Sequence, residues 1–144
     1  MNPEREILFR GKGKDGEGWK EGNYLFKQDT ILCIASDEEQ KAIEHHYIIF
    51  SGFCDWNMPL PYYRMEIIPE TLGQYIGKKD KSKNKIFEGD IIQHSSGFIG
   101  IVKWVAKEGC FGYFYNDEHF LYIDEYDSDE FEIIGNTYDN PEYI

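Results

Sequence analysis

The chain has 144 residues, 41% hydrophobic and 17% aromatic with 11 Tyr and 10 Phe, against 29% charged; that balance is globular and excludes a disordered chain. At this length about 68% of the unfolded chain's surface can be buried, enough for one domain or two small ones. The formal net charge of −12 creates a field that repels phosphate and disfavours a general nucleic-acid binder.

The opening residues MNPEREILFRGK carry charge with no apolar stretch behind it, which is not a secretory signal. No run of about 18 apolar residues provides a membrane-spanning helix, so a cytoplasmic protein is expected. From Glu6 to Gly11 runs a short apolar stretch, Asp15-Gly16 is a hairpin turn, and Trp19 to Lys27 resumes extended character, so the first element is a β-hairpin. Thr30 to Ala35 reads as a short strand. Ser36 followed by Glu39 forms a capping box that opens a brief helix over 37–45. Tyr47 to Phe53 is β-rich, Pro59 and Pro61 force a loop, and Tyr62 to Ile68 returns as a strand.

The chain from Ile67 to Trp104 organises the rest. An extended run ending at Gly77 crosses a lysine-rich tip to Ile86-Phe87. Glu88-Gly89-Asp90 then turns into Ile91-Ile92, and Ser95-Ser96-Gly97 turns into Ile99 to Trp104. This order of strands and turns predicts a tightly bent, partly open barrel of the SH3 type, with Ile92, Ile101 and Trp104 in its core. Cys110 to Tyr115, Phe120 to Ile123 and Glu130 to Ile134 add further strands. The expected fold is therefore mainly β: a β-rich lobe over 1–66 and an SH3-type barrel with an ordered tail over 67–144.

Chemistry-bearing motifs are scarce. The three cysteines, Cys33, Cys54 and Cys110, form neither a C-x-x-C pair nor an even-numbered disulfide framework. His45, His46, His94 and His119 lack the spacing of paired metal ligands. The acidic run Asp124 to Glu130 lacks the glycine and terminal glutamate of a calcium loop. No nucleophile elbow, Walker loop or dinucleotide fingerprint is present. The expectation is thus no catalytic residue, no metal and no cofactor. Glu66, Glu70, Glu88 and Asp90 are carboxylates that could act as acid and base only if they converged; Glu70 and Asp90 are expected to bond turn amides instead.

Charge is unevenly placed. Val105 to Ile144 holds Lys107 against eleven acids, a net of −10, leaving −2 for residues 1–104. Against this field Lys78, Lys79, Lys81, Lys83 and Lys85 crowd one hairpin tip. They can contact phosphate or an acidic partner, or simply form a solvated turn that discourages aggregation at a sheet edge. Tyr113, Tyr115, Tyr122 and Tyr126 form a candidate protein-binding face, because tyrosine is an efficient interface residue.

Four stretches taken together are more specific: REILFRGKGKDGEGWKEGNYL at 5–25, IIPETLGQYIGKKDKSKNKIFEGDII at 67–92, GIVKW at 100–104 and EIIGNTYDNPEYI at 132–144. In this order they resemble the YopX proteins of bacteriophages and prophages, while 30–63 and 105–130 contribute no matching motif. The resemblance implies a mostly β protein with an SH3-type barrel toward its C-terminus and a phage or prophage origin, and it transfers no catalytic residue. One departure stands in the tip, where Ser82-Lys83-Asn84-Lys85 lacks the glycine usual in the family, so a looser loop is expected.

The sequence thus favours a non-enzymatic accessory protein that binds a host or phage protein in the bacterial cytoplasm. The alternative is a nucleic-acid-associated protein using the lysine tip. Weaker alternatives are an acidic decoy with carboxylates spaced like DNA phosphates and an enzyme without a recognisable motif. Open sheet edges also leave homo-oligomerisation available.

Overall fold

The computed structural model describes residues 5–29, 36–38, 43–52, 56, 61–123 and 128–144. It divides into two compact lobes, one of residues 8–72 and one formed by 73–144 together with the residues that precede Leu8. Ile67 to Leu72, expected to open the second lobe, lie in the first. Ile67 is fully buried there and bridges Gly13, and Ile68 donates its amide to the Lys12 carbonyl at 2.9 Å.

In the first lobe β1 (Phe9–Lys12), β2 (Trp19–Gln28), β3 (Glu44–Ser51) and β4 (Tyr62–Glu66) follow one another and pair antiparallel in spatial order β4-β3-β2-β1. The predicted first hairpin is β1–β2. Ile48, Met65 and Ile67 form the core, with Phe9, Phe50 and Leu72 packed around them. Gly11 is required here, since an added Cβ would lie 2.5 Å from Ile67 Cδ1. After β4 a single 3-10 turn, Pro69–Thr71, returns to β1 through Thr71, whose Oγ1 accepts the Lys12 amide at 2.8 Å.

The helix expected over 37–45 does not reach that length. Asp37 and Glu38 are helical and 39–42 lie outside the described residues, but Glu44 and His45 already belong to β3. The cross-strand bonding of β3 to β2 overrides a weak local capping signal. The expected strand at 30–35 also lies outside the described residues.

The second lobe opens with the hairpin β5 (Gly73–Lys79) and β6 (Lys85–Phe87). It continues through β7 (Asp90–His94), β8 (Ile99–Val105), β9 (Cys110–Phe114), β10 (Phe120–Tyr122) and β11 (Phe131–Asn136). These last five form an antiparallel sheet in the order β10-β9-β8-β7-β11. Its edges β10 and β11 do not pair with each other, so the sheet stays open, and a bulge between Ile133 and Gly135 bends β11 as such insertions do. The protein is mainly β with two β lobes.

Ile86, Ile92, Val102, Tyr113, Ile123 and Phe131 form the buried core of this lobe, flanked by Ile76, Leu121 and Ile133. Two residues expected in it are not there. Ile92 stands opposite Gly100, whereas Ile101 stands opposite Ile91; alternation along β8 therefore turns Ile101 away from the face that Ile92 and Val102 share. Trp104 lies two residues beyond Val102 and outside the buried cluster, 48% exposed, with its indole edge-on to Phe111 at 5.0 Å.

Two buried aspartates fasten the turns. Asp90 Oδ2 accepts the Phe87 amide at 2.7 Å, the turn-capping role expected of it. Asp80, 1% exposed, starts the lysine tip: its Oδ1 accepts the amides of Ser82 at 2.9 Å and Asn84 at 2.8 Å. Its Oδ2 accepts the Asn84 side-chain amide at 3.3 Å and the Ile133 amide of β11 at 3.2 Å. The tip is consequently not loose. Lys83 takes the left-handed conformation, φ 67°, that a glycine would normally occupy.

Burial alone would push the Asp80 carboxyl up, but the donated hydrogen bonds outweigh it and hold it below the ordinary carboxylate value. A depressed folded pKa contributes stability above the unfolded value near pH 4, which is lost as pH falls through the folded one. Asp80→Ala should cost about 2–3 kcal/mol, because it strands the Ile133 amide. The variant should also lose less further stability than the parent below about pH 4, as measured by urea unfolding across that range. In the same assay Phe131→Ala should cost about 3–5 kcal/mol and Trp104→Ala about 1–2, in proportion to the side chain each removes from the interior.

Candidate functional site

Polar side chains that could do chemistry gather in two places. In the first lobe His45 lies between two carboxylates, with Nδ1 3.0 Å from Glu66 Oε1 and Nε2 2.9 Å from Asp29 Oδ2. Lys14 and Lys27 join the carboxylates at 2.7 and 3.1 Å. Carboxylates at neutral pH only accept, so both ring nitrogens must donate and the ring is an imidazolium. The hydrogen bonds that His45 donates to Glu66 and then to Asp29 raise its pKa, and burial opposes them. Such a ring has no lone pair for a metal or a substrate proton, so this cluster is a structural clasp joining β2, β3 and β4.

The second place is the turn between β7 and β8, His94-Ser95-Ser96-Gly97. The Ser96 amide and hydroxyl both approach His94 Nδ1, at 3.1 and 2.5 Å. A backbone N–H can only donate, so Nδ1 is bare and the ring proton sits on Nε2, which lies 2.6 Å from Glu130 Oε2. Hydroxyl, imidazole and carboxylate in series would suit nucleophilic catalysis. The turn's backbone donors are already engaged, however: the Ser95 amide bonds the Glu130 carbonyl at 2.9 Å and the Gly97 amide bonds the His94 carbonyl at 2.8 Å. With the Ser96 amide on Nδ1, none of the three is left to hold a developing oxyanion. His94 therefore caps the turn and steadies the side chains beside it.

Those side chains line a cleft of about 300 Å³: His94, Ser96, Phe98, Tyr113, Tyr115, Leu121 and Phe131. Strand register explains it. Phe131 stands opposite His94, Val102 opposite Tyr113 and Leu121 opposite Tyr113, so all point to the face that carries the core. Gly100 is needed below Tyr113, because a Cβ there would come within 2.5 Å of the ring. Phe98 and Tyr115 stand at the rim, 66% and 44% exposed.

The four candidate tyrosines are not one face. Tyr113 is buried as the cleft floor and Tyr115 forms its wall. Tyr122 lines a separate cleft of about 410 Å³ with Arg5, Lys78, Trp104 and Phe111, and Tyr126 lies outside the described residues. Nor are the five lysines one patch. Lys78 faces that second cleft. Lys81 pairs with Glu132 at 2.6 Å, Lys83 with Asp129 at 3.3 Å and Lys85 with Glu6 at 3.0 Å. Lys79 is an exposed residue at the end of β5.

The carboxylates considered for acid–base work do not converge. Glu66 serves the His45 clasp, Glu70 lies within a 3-10 turn of the first lobe and Asp90 caps β6. Glu88, in the second lobe, has its carboxyl pushed up by burial against the bonds it makes with the backbone at Gln74 and Trp104. Among the described residues no group of three His, Cys, Asp or Glu side chains could hold a metal ion, and residues 124–127 of the acidic loop lie outside them. Cys110 is a free thiol. Sequence reading missed the cleft because His94, Phe98, Leu121 and Phe131 come from four separate segments. Their shared parity with Ile92 and Val102 was the available signal, usable only once the register between strands is known.

The profile of the family described as YopX protein matches residues 8–144. No curated protein matches the chain. Among solved structures, the crystal structure of protein EF1440 from Enterococcus faecalis is similar with a TM-score of 0.49 at 19% identity, over 96% of this chain and 97% of that one.

The clasp gives a pH dependence of definite sign. A folded-state pKa raised above the usual histidine value contributes stability below the unfolded value near 6.5, lost as pH rises through the folded one. NMR titration of the ring should give a His45 pKa above 6.5, and His45→Gln should flatten the stability of the parent between about pH 6 and pH 9.

Proposed function

The chain belongs to the YopX protein family, and on that premise we propose that it is a phage or prophage accessory protein. In this reading it acts in the bacterial cytoplasm by binding another protein rather than by converting a substrate. The observation that carries this reading is the state of the lysine tip. Three of its five ammonium groups are ion-paired to carboxylates of the same lobe, so the positive charge of the tip is offset locally, and a phosphate backbone meets the repulsive field of a chain of net charge −12. Each phosphate contact contributes only through counterion release, which weakens steeply with salt.

Exposed apolar side chains supply the other half of the argument. Phe98, Tyr115, Trp104 and Tyr122 all stand at or above 40% exposure on the second lobe, and aromatic side chains that ring shallow clefts are the residues that anchor protein interfaces. Among the described residues no helix is long and apolar enough to cross a membrane.

Duplex and single-stranded DNA and RNA should bind weakly at low ionic strength and lose binding by about 0.15 M salt, the screening range, as read by fluorescence anisotropy. Affinity capture from lysogenic or infected cells after nuclease treatment should retain a protein partner. Micromolar nucleic-acid binding at physiological salt, abolished by changing Lys78, Lys79, Lys81, Lys83 and Lys85 to Ser, would overturn the proposal.

A further inference from the structure

The cleft beside the β7–β8 turn has a shape and a charge that specify its occupant more closely than protein binding in general. Its volume of about 300 Å³ lies at the bottom of the range for ligand sites; it is room for one large side chain, not for a cofactor. Floor and walls are apolar or aromatic, Tyr113, Leu121, Phe131, Phe98 and Tyr115, with His94 and Ser96 as the polar edge. Tyr115 is held upright by stacking on His119 at 6.0 Å, and the Asn116 carboxamide fixes that hairpin by accepting the Glu118 and His119 amides at 3.0 and 2.7 Å. His94 is held through Nδ1 by Ser96. The site is therefore formed before anything enters it, which lowers the ordering cost of binding.

Among its described lining residues there is no lysine or arginine. Carboxylates are near in the chain and in space: Asp117 and Glu118 follow Tyr115 in the β9–β10 turn, and an adjoining groove that shares His94 is lined by Asp129, Glu130 and Glu132 together with Lys81. Glu130 lies against His94, while Glu132 and Asp129 are occupied by Lys81 and Lys83 in pairs that are exposed, Lys81 50% and Lys83 73% at the side chain. Exposed pairs are worth only about 0–1 kcal/mol, so a partner's cation exchanges with them at little cost.

We infer, resting on the protein-binding reading, that this cleft receives a large apolar side chain from a lysine- or arginine-rich segment of a partner protein, with the flanking cations on Asp117, Glu118, Asp129, Glu130 and Glu132. The apolar anchor supplies affinity and the carboxylates select against acidic and neutral segments.

The test titrates the full chain with three N-acetylated heptapeptides: a central Phe flanked by lysines, the same Phe flanked by glutamates, and a central Ser flanked by lysines. Backbone amide NMR shifts are the readout. The lysine–Phe peptide should shift amides of the β7–β8 turn, β9 and β10, and should weaken about tenfold or more between 20 and 150 mM salt, as expected for several charge contacts. The other two peptides should bind at least tenfold more weakly. Phe98→Ser with Tyr115→Ser, both rim residues whose loss leaves the core intact, should reduce binding tenfold or more with an unchanged circular dichroism spectrum. Asp129→Asn with Glu132→Gln should remove most of the salt dependence while leaving the shifted amides the same.

Equal binding of the glutamate–Phe peptide would overturn the charge rule. Equal binding of the lysine–Ser peptide would reduce the effect to surface charge, and no shifts at 1 mM lysine–Phe peptide would overturn the site. A partner captured from cells equally well by the Phe98→Ser/Tyr115→Ser variant would also overturn this cleft while leaving protein binding standing. Capture of no partner by either form would instead remove the reading on which the inference rests.

Discussion

The second lobe depends on one carboxylate. Asp80 follows β5, is almost wholly removed from water, and takes four hydrogen bonds that fall on both sides of a topological gap: two backbone amides and a side-chain amide in its own turn, and the Ile133 amide in β11. An ionised oxygen bonded this way gains more per bond than a neutral one, and the desolvation it suffers makes every donor obligatory. The hairpin β5–β6 is thereby fixed to the edge strand of a sheet that begins ten residues later. The Lys81 amide adds a bond to the Phe131 carbonyl at 2.8 Å. With β11 located, Phe131 and Ile133 are located, and they build the core and the cleft floor.

This arrangement explains how the tip dispenses with the glycine that a left-handed turn position normally takes. A lysine in the left-handed region costs roughly 1 kcal/mol, and the Asp80 bonds on either side of Lys83 hold it there. The same geometry brings the lysine ammonium groups over Asp129 and Glu132. What reads in the sequence as a concentrated positive patch is in the fold a set of charges distributed among neighbours of opposite sign, with Lys78 assigned to another surface altogether.

Local signals in the chain were readable to the extent that one strand or turn could decide them. The β1–β2 hairpin, the strand at 110–114 and the capping role of Asp90 follow from alternation and turn residues, and the mainly β, two-lobed architecture follows from their number. Features set by pairing between distant strands were not readable. Ile101 looks equivalent to Ile92 until the register of β7 on β8 separates them, Trp104 shares the parity of Val102 but lies beyond the buried cluster, and the helix proposed after Ser36 stops short because β3 claims Glu44 and His45. The three described tyrosines do not share one surface, since Tyr113 in β9 and Tyr115 just past its end line one cleft while Tyr122 in β10 lines another. The His94 cap was unreadable for the opposite reason: it is strictly local, yet a histidine two residues before a serine signals nothing until the turn folds.

Glu6 and Arg5 belong by contact to the lobe that resumes at Gly73, with Glu6 held by Lys85 across a sequence separation of 79. The first lobe is thus an insertion in the second. A ribosome releases the opening residues first, then the whole of 8–72, and only afterwards the strands those opening residues must join. Because closing so long a loop is costly while the intervening chain is a coil, early compaction of the inserted lobe would shorten the distance to be closed and set the order of assembly. It also fixes where the chain can be cut: a fragment beginning at Gly73 would carry every strand of the second lobe yet lack the partner of Lys85 and one wall of the Trp104 cleft.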